Sequence, residues 1–317
     1  MELIIKKKNI LLVGIAAIAL LIAGSFIPYF YSANNLLNIV RQSSVVAICA
    51  VGVTMVIIVL GIDLSVGGII SFSAMVCGTL MKSGVNILIC ILAGAAVGLA
   101  FGLFNGVMVA KLGVPPFITT LVVGQVAAGL ALVLSNGGSI GGFPENYVYL
   151  GNGSFLGMPV SNYIMFVFVA LGSLFMAKTK MGSRIYALGG NEMVVKQEGI
   201  NTKKIKIIVY GISGLCAACG GILLSAQLDT VHPIQGEPYL LDTNAACVIG
   251  GVSLMGGEGK IYLAFVGAMV IGLVRNALNM LGMHPFYQNV IIGAIIIIVV
   301  AVSVWNKNKN IKESKTF

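Results

Sequence analysis

The chain has 317 residues, 58% of them hydrophobic and only 9% charged, with a net charge of +9. A soluble domain carries about 25% charged residues, so this composition cannot cover a water-facing surface and excludes a soluble enzyme. The positive excess has no basic patch interleaved with aromatics, which excludes nucleic-acid binding and instead fits basic loops on the cytoplasmic side of a membrane.

In chain order, Lys6, Lys7 and Lys8 precede an apolar run from Ile10 to Phe30. The run is too long for a signal-peptide core and has no small-residue cleavage site after it, so it predicts a retained first span. A span needs about 20 apolar residues. The candidates are 9–31, 36–61, 65–82, 86–110, 117–134, 160–178, 205–228, 242–256, 260–281 and 286–305. The fold class is therefore an all-α integral membrane bundle of about ten transmembrane helices. The whole of 1–317 reads as one membrane domain, with 9–305 in the bilayer and 306–317 a tail. Alternating from a cytoplasmic N-terminus puts Lys111, Lys178, Lys180, Arg184, Lys196, Lys203, Lys204, Lys206 and Lys260 inside, together with the lysines of the C-terminal tail. Outside fall Arg41 and Lys82, with Arg275 near an outer helix end, while Glu145, Asp229, Glu237 and Asp242 lie in outer loops. This asymmetry predicts an even number of spans, both termini cytoplasmic, and a multi-pass plasma-membrane protein.

Two loops are long. The outer loop, 135–159, is rich in Gly, Asn and Pro and reads as irregular. The inner loop, 179–204, contains a helix-like piece, Glu192–Glu198, with Asn191 as its N-cap and Glu192 in its first turn.

Gly94, Gly98, Gly102 and Gly106 recur every four residues and form a stripe on which another helix can approach closely. Asp63 lies between two spans. It is read either as a pathway residue, since a buried charge is costly, or as a cap for the helix beginning near Ser65. Ser65, Asn105, Thr119, Gln125 and Asn244 are polar residues suited to a translocation pathway. Cys216 and Cys219 read as small packing residues, and no metal-ligand cluster or hydrolytic constellation is apparent. Gly257-Glu258-Gly259-Lys260 fails as a phosphate loop because Leu254 and Ile261 stand where Gly and Ser or Thr are required. With few ionisable residues at depth, the driving force is expected from another protein. An ion-coupled transporter or channel is the competing class.

The motifs Asn34–Asn38, Gly61–Gly67, Phe117–Leu121, Arg184–Glu192, Gly199–Tyr210 and Gly250–Gly257 resemble those of the permease subunits of bacterial ABC importers for ribose and related monosaccharides. The resemblance covers about residues 30–305. It departs at Met255, where relatives more often carry Ala, and is weakest in the outer loop. It implies a type II importer-like bundle that is no enzyme and needs no cofactor. Its implied partners are ATP-binding subunits on the cytoplasmic face, an extracytoplasmic sugar-binding protein and a second permease subunit, as a homodimer. Ala187, Leu188, Gly189, Gly190, Asn191, Glu192 and Gly199 would then couple to the ATPase. The expected cargo is ribose, with galactose, xylose, arabinose, inositol or a furanosyl signalling molecule as alternatives.

Overall fold

The computed structural model describes residues 25, 27–284, 286–295, 297–298 and 301. The first predicted span lies mostly outside them, as does the tail 306–317. Residues 27–31, read as its end, form turns and a bend instead of helix. Each predicted span from the second to the tenth corresponds to a helix among the described residues.

Helix α1 (Ala33–Ile58) begins at Ser32, whose hydroxyl accepts a hydrogen bond from the Asn35 N–H at 3.3 Å. It ends with Leu60 in the left-handed region at φ 66°, a conformation few non-glycine residues adopt. Gly61 follows because a Cβ there would lie 2.5 Å from the Tyr210 hydroxyl. An extended stretch then leads into α2 (Val66–Lys82). Helix α3 (Ile87–Ala110) is capped by Asn86, and α4 (Pro116–Ser135) starts on a proline, whose missing N–H costs nothing in a first turn.

The outer loop is more ordered than its composition suggests. It holds β1 (Ile140–Gly141), the helix α5 (Glu145–Asn152), and a hairpin of β2 (Ser154–Phe155) and β3 (Met158–Pro159). Strand β1 pairs with β4 (Thr230–Val231), and the Asp229 carboxylate accepts from the Phe143 N–H at 2.8 Å. Tyr147 plugs α5 into the bundle. It is fully buried, donating to the Ile222 carbonyl at 2.8 Å and lying 2.6 Å from the Ser225 hydroxyl.

Helix α6 (Val160–Lys178) leads to α7 (Lys180–Gly190) and α8 (Glu192–Gln197), then α9 (Thr202–Leu228). The eighth predicted span, 242–256, is instead α10 (Glu237–Ile249), followed by glycine-rich turns through residue 260. The helix starts five residues earlier because Pro238 favours a first turn, and stops earlier because Gly250, Gly251, Gly256 and Gly257 follow, three of them at positive φ. Helices α11 (Ile261–Met280) and α12 (Phe286–Ile295) complete the described fold.

Hydropathy reports exposure to lipid here, not burial. Helix α3 has a mean hydropathy of 2.6 with 22% of its most apolar stretch buried, whereas α1, at 1.8, is 89% buried. The core is α1 and α9, with α2, α3, α10 and α11 packed around them. The glycine stripe of α3 packs inside the subunit, against α2 and α9. A Cβ on Gly102 would strike the Tyr210 carbonyl and lie 3.0 Å from Gly211 Cα. One on Gly98 would meet the Gly214 carbonyl at 2.5 Å, one on Gly106 would meet Ile207 Cα at 2.6 Å, and one on Gly94 the Ser73 carbonyl at 2.8 Å. Two glycine-bearing helices thus close to backbone contact, the geometry through which helices attract one another where burial from water supplies no drive.

A candidate coupling surface and a buried polar network

Four of the predicted pathway residues meet at the break between α1 and α2. Asp63 is 1% exposed. One carboxylate oxygen accepts from the Ser65 N–H at 2.9 Å and the Ser65 hydroxyl at 2.5 Å; the other accepts from the Ser213 hydroxyl of α9 at 2.7 Å. Asn105 of α3 donates to the Ser65 hydroxyl at 2.8 Å, and Asn244 of α10 donates to the Asp63 carbonyl at 3.1 Å. Thr120 of α4 donates to the Ile62 carbonyl at 3.2 Å. Asp63 therefore holds the turn that leads into α2, accepting from the N-cap residue Ser65 and not from the helix's own first N–H groups, so it is not the cap the sequence offered; the non-helical backbone of residues 61–65 is tied to four neighbouring helices. Irregular backbone inside a bilayer persists only where protein encloses it and satisfies its polar groups. Two predicted members stand apart. Thr119 is buried, with its hydroxyl oxygen unpartnered, and Gln125 is exposed farther along α4.

The expectation of few ionisable residues at depth needs correction. Asp242 does not lie in an outer loop; it is on α10, 2% exposed, and Arg275 of α11 grips it with two hydrogen bonds of 2.7 and 2.9 Å. The fork of the guanidinium matches the two carboxylate oxygens. This pair fastens the shortest of the core helices to its neighbour.

At the end of the bundle carrying Lys111, Lys178, Lys180 and Arg184, the inner loop is two helices joined by one residue. Thr179 accepts from the Gly182 N–H at 3.0 Å and starts α7, which the glycine content had concealed. Asn191 ends α7 and caps α8, its side-chain oxygen accepting from the N–H groups of Met193 at 3.0 Å and Val194 at 3.3 Å, as expected. Gly199, at φ 75°, reverses the chain after α8 so that the Ile200 N–H returns to the Val195 carbonyl at 3.3 Å. Its role is conformational.

The predicted coupling strip divides into two faces. Ala187, Gly190 and Asn191 are exposed, and no atom from outside its own stretch of chain lies within 4 Å of where a Gly190 Cβ would stand. Leu188 and Gly189 face inward and are buried. The Gly257 N–H donates to the Ile58 carbonyl at 2.9 Å, and Gly189 sits against that bond. A Cβ on it would strike the Ile58 oxygen and lie 2.5 Å from the Gly257 nitrogen. Tyr186 donates to the Gly259 carbonyl at 2.7 Å. Helix α7 therefore rests on two turns at once, residues 58–61 and 251–259.

Glu192 also turns inward. It accepts from Lys206 of α9 at 2.7 Å, from Thr202 at 3.2 Å, and pairs with Lys196 at 3.1 Å. Partial burial would push its carboxyl up, but the two lysines more than offset this and hold it at about 2. Beside it is a cavity of about 340 Å³ lined by Val59, Leu60, the 113–116 turn, Lys206 and Tyr210. Sequence reasoning missed Ser213, Arg275, Lys206 and Tyr186 as members of these sites. Their partners are 14 to 150 positions away in the chain, and no local pattern announces them.

Residues 35–300 match the family described as the permease component of the branched-chain amino acid transport system. The chain is 41% identical over 285 residues to the ribose import permease protein RbsC of Escherichia coli K12, covering 89% of each chain. It is 38% identical over 275 residues to the Bacillus subtilis protein of the same name, covering 86% of this chain and 85% of that one. The D-allose transport system permease protein AlsC of Escherichia coli K12 is 39% identical over 290 residues, with 90% and 89% covered. No solved structure matches the chain.

Proposed function

The chain belongs to the permease family of multi-pass membrane transport proteins, and from that premise we propose that it is the membrane subunit of an ATP-driven importer that carries ribose into the cell. The observation that supports the cargo is the 41% and 38% identity, across most of the chain, to two ribose import permeases from distant bacteria. The D-allose relative at 39% keeps a second pentose or hexose as the competing cargo.

In this reading the whole chain is one permease domain, and two copies form the pathway. ATP-binding subunits dock on the cytoplasmic end, where the lysine- and arginine-bearing loops lie, and the exposed Ala187, Gly190 and Asn191 face them. A sugar-binding protein delivers cargo to the opposite end, over the ordered 140–159 segment. Both termini are cytoplasmic. The Asp63 network is the internal hinge of the permease and not an open channel wall, since Asp63, Ser65 and Asn105 are sealed inside one subunit. Rigid-body movement of the packed helices would switch access between the two sides.

The test is uptake of labelled ribose by the complex reconstituted with its ATPase and binding protein. Uptake is expected only with ATP, and D-allose is expected to compete weakly. The Gly190→Trp variant is expected to insert and fold normally, because that position is open, yet to lose uptake and ATPase binding. Normal uptake by the variant, or uptake by the isolated chain under an ion gradient, would overturn the reading.

A further inference from the structure

We infer that Glu192 is a positioning residue that latches the coupling segment to the foot of α9, so that displacement of α8 pulls on the core helix of the bundle. The inference rests on the docking reading above. Sequence placed Glu192 among the groups that touch the ATPase; the geometry turns its carboxylate the other way. One oxygen takes Lys206 of α9 at 2.7 Å, and the other takes Thr202, the first residue of α9, at 3.2 Å and Lys196 of α8 at 3.1 Å. The carboxylate thus has partners on both helices, while the Asn191 cap just before it fixes the start of α8.

Three features support the latch. Thr202 is 3% exposed and Lys206 is largely covered, so the tie is made on the inner side of the segment. A cavity of about 340 Å³ adjoins the pair, lined by Glu192 and Lys206 together with Val59, Leu60 and residues 113–116, so the two charged side chains border open space on that flank. The helix being gripped is the one whose backbone lies against the glycine stripe of α3 and whose Ser213 holds Asp63. A pull on Lys206 therefore acts on the same rigid body that anchors the break between α1 and α2. Lysine suits this task, because its ammonium is a point charge on a flexible stem that can stay engaged while the two helices shift.

The experiment uses the whole importer in proteoliposomes and measures three quantities for each variant: ATPase subunit retained on the permease, ATP hydrolysed, and sugar imported. For Glu192→Gln the expected result is full retention of the ATPase, hydrolysis within about twofold of the parent, and sugar moved per ATP reduced at least about tenfold. Lys206→Gln should give the same signature from the other side, and it serves if Glu192→Gln fails to accumulate. The exchange Glu192→Lys with Lys206→Glu, which rebuilds the pair in reverse, should recover at least half of the lost coupling. Coupling unchanged in both single variants overturns the latch. Loss of the ATPase from the Glu192→Gln complex overturns it in favour of direct contact, and a reversed pair that restores nothing overturns it as well. Gly190→Trp reports separately on docking, so failure of the docking reading and failure of the latch give different patterns.

Discussion

Two carboxylate–cation contacts in this protein use the same chemistry to opposite ends. Asp242 and Arg275 meet in a two-bond fork between α10 and α11, with the aspartate almost fully enclosed. Glu192 meets Lys206 and Lys196 at the edge of the bundle, with side-chain exposures of 32%, 22% and 56%. In the first place only the carboxylate is enclosed, at 3% exposure against 23% for Arg275, so water cannot stand in for the guanidinium beside it and the contact fixes a geometry. In the second, solvent can take over either charge, so the pair can be made, stretched and remade. The enclosed carboxylate depends on one forked partner, whereas the Glu192 carboxylate is shared among Lys206, Lys196 and Thr202 at the edge of the bundle.

The sharpest way to break this contrast is to remove one half of the buried pair. Arg275→Leu strands the enclosed Asp242 carboxylate and is expected to cost about 3–5 kcal/mol, seen as a large loss of thermal stability in detergent. The double variant Asp242→Leu with Arg275→Leu should recover most of that loss, since an apolar pair of similar volume in such a place is often neutral. If the double variant is as unstable as the single one, the pair is not what holds α10. Asp63 stands between the two extremes, being buried but satisfied by hydroxyls and a backbone N–H. Asp63→Ala leaves those donors unpaired and should cost about 1–3 kcal/mol by the same assay, and Asp63→Asn clearly less. The smallest effect belongs to Glu192. Its carboxyl is held at about 2, below its ordinary 4.5, so any stability it contributes is fully present above about 4.5 and is lost only as pH falls toward 2. Melting temperature should therefore not respond to Glu192→Gln between pH 6 and 8 by more than the shift of an exposed pair worth under about 1 kcal/mol, even while transport per ATP collapses.

How much of this was legible in the sequence depends on the range of the interaction. Apolar runs placed the helices from the second to the tenth span, and local chemistry placed caps: Asn191 caps α8 as its position before Glu192 suggested. Charge asymmetry placed the loops at two ends, and the contacts agree, since residues 58, 189 and 257 meet at one end and residues 140 and 231 at the other. What failed was anything decided across the bundle. Asp242 was read as an outer-loop residue because it stands at the edge of the apolar run 242–256, and Arg275, which makes its burial tolerable, is 33 residues away. Helix α7 was invisible because Gly182, Gly189 and Gly190 read as loop. The first two are glycines because Met176 and Ile58 leave no room for a side chain.

The shortness of α10 has a consequence for how the protein is made. Thirteen residues rise about 20 Å, well short of the roughly 30 Å hydrocarbon layer, and they carry an aspartate whose insertion at a helix centre costs about 2.5–3.5 kcal/mol. As it leaves the translocon, this segment lacks both the length and the neutrality to settle among lipids unaided. Arg275 on α11 supplies the partner that the aspartate lacks on its own helix, so α10 is expected to enter the bilayer more readily together with α11 than alone.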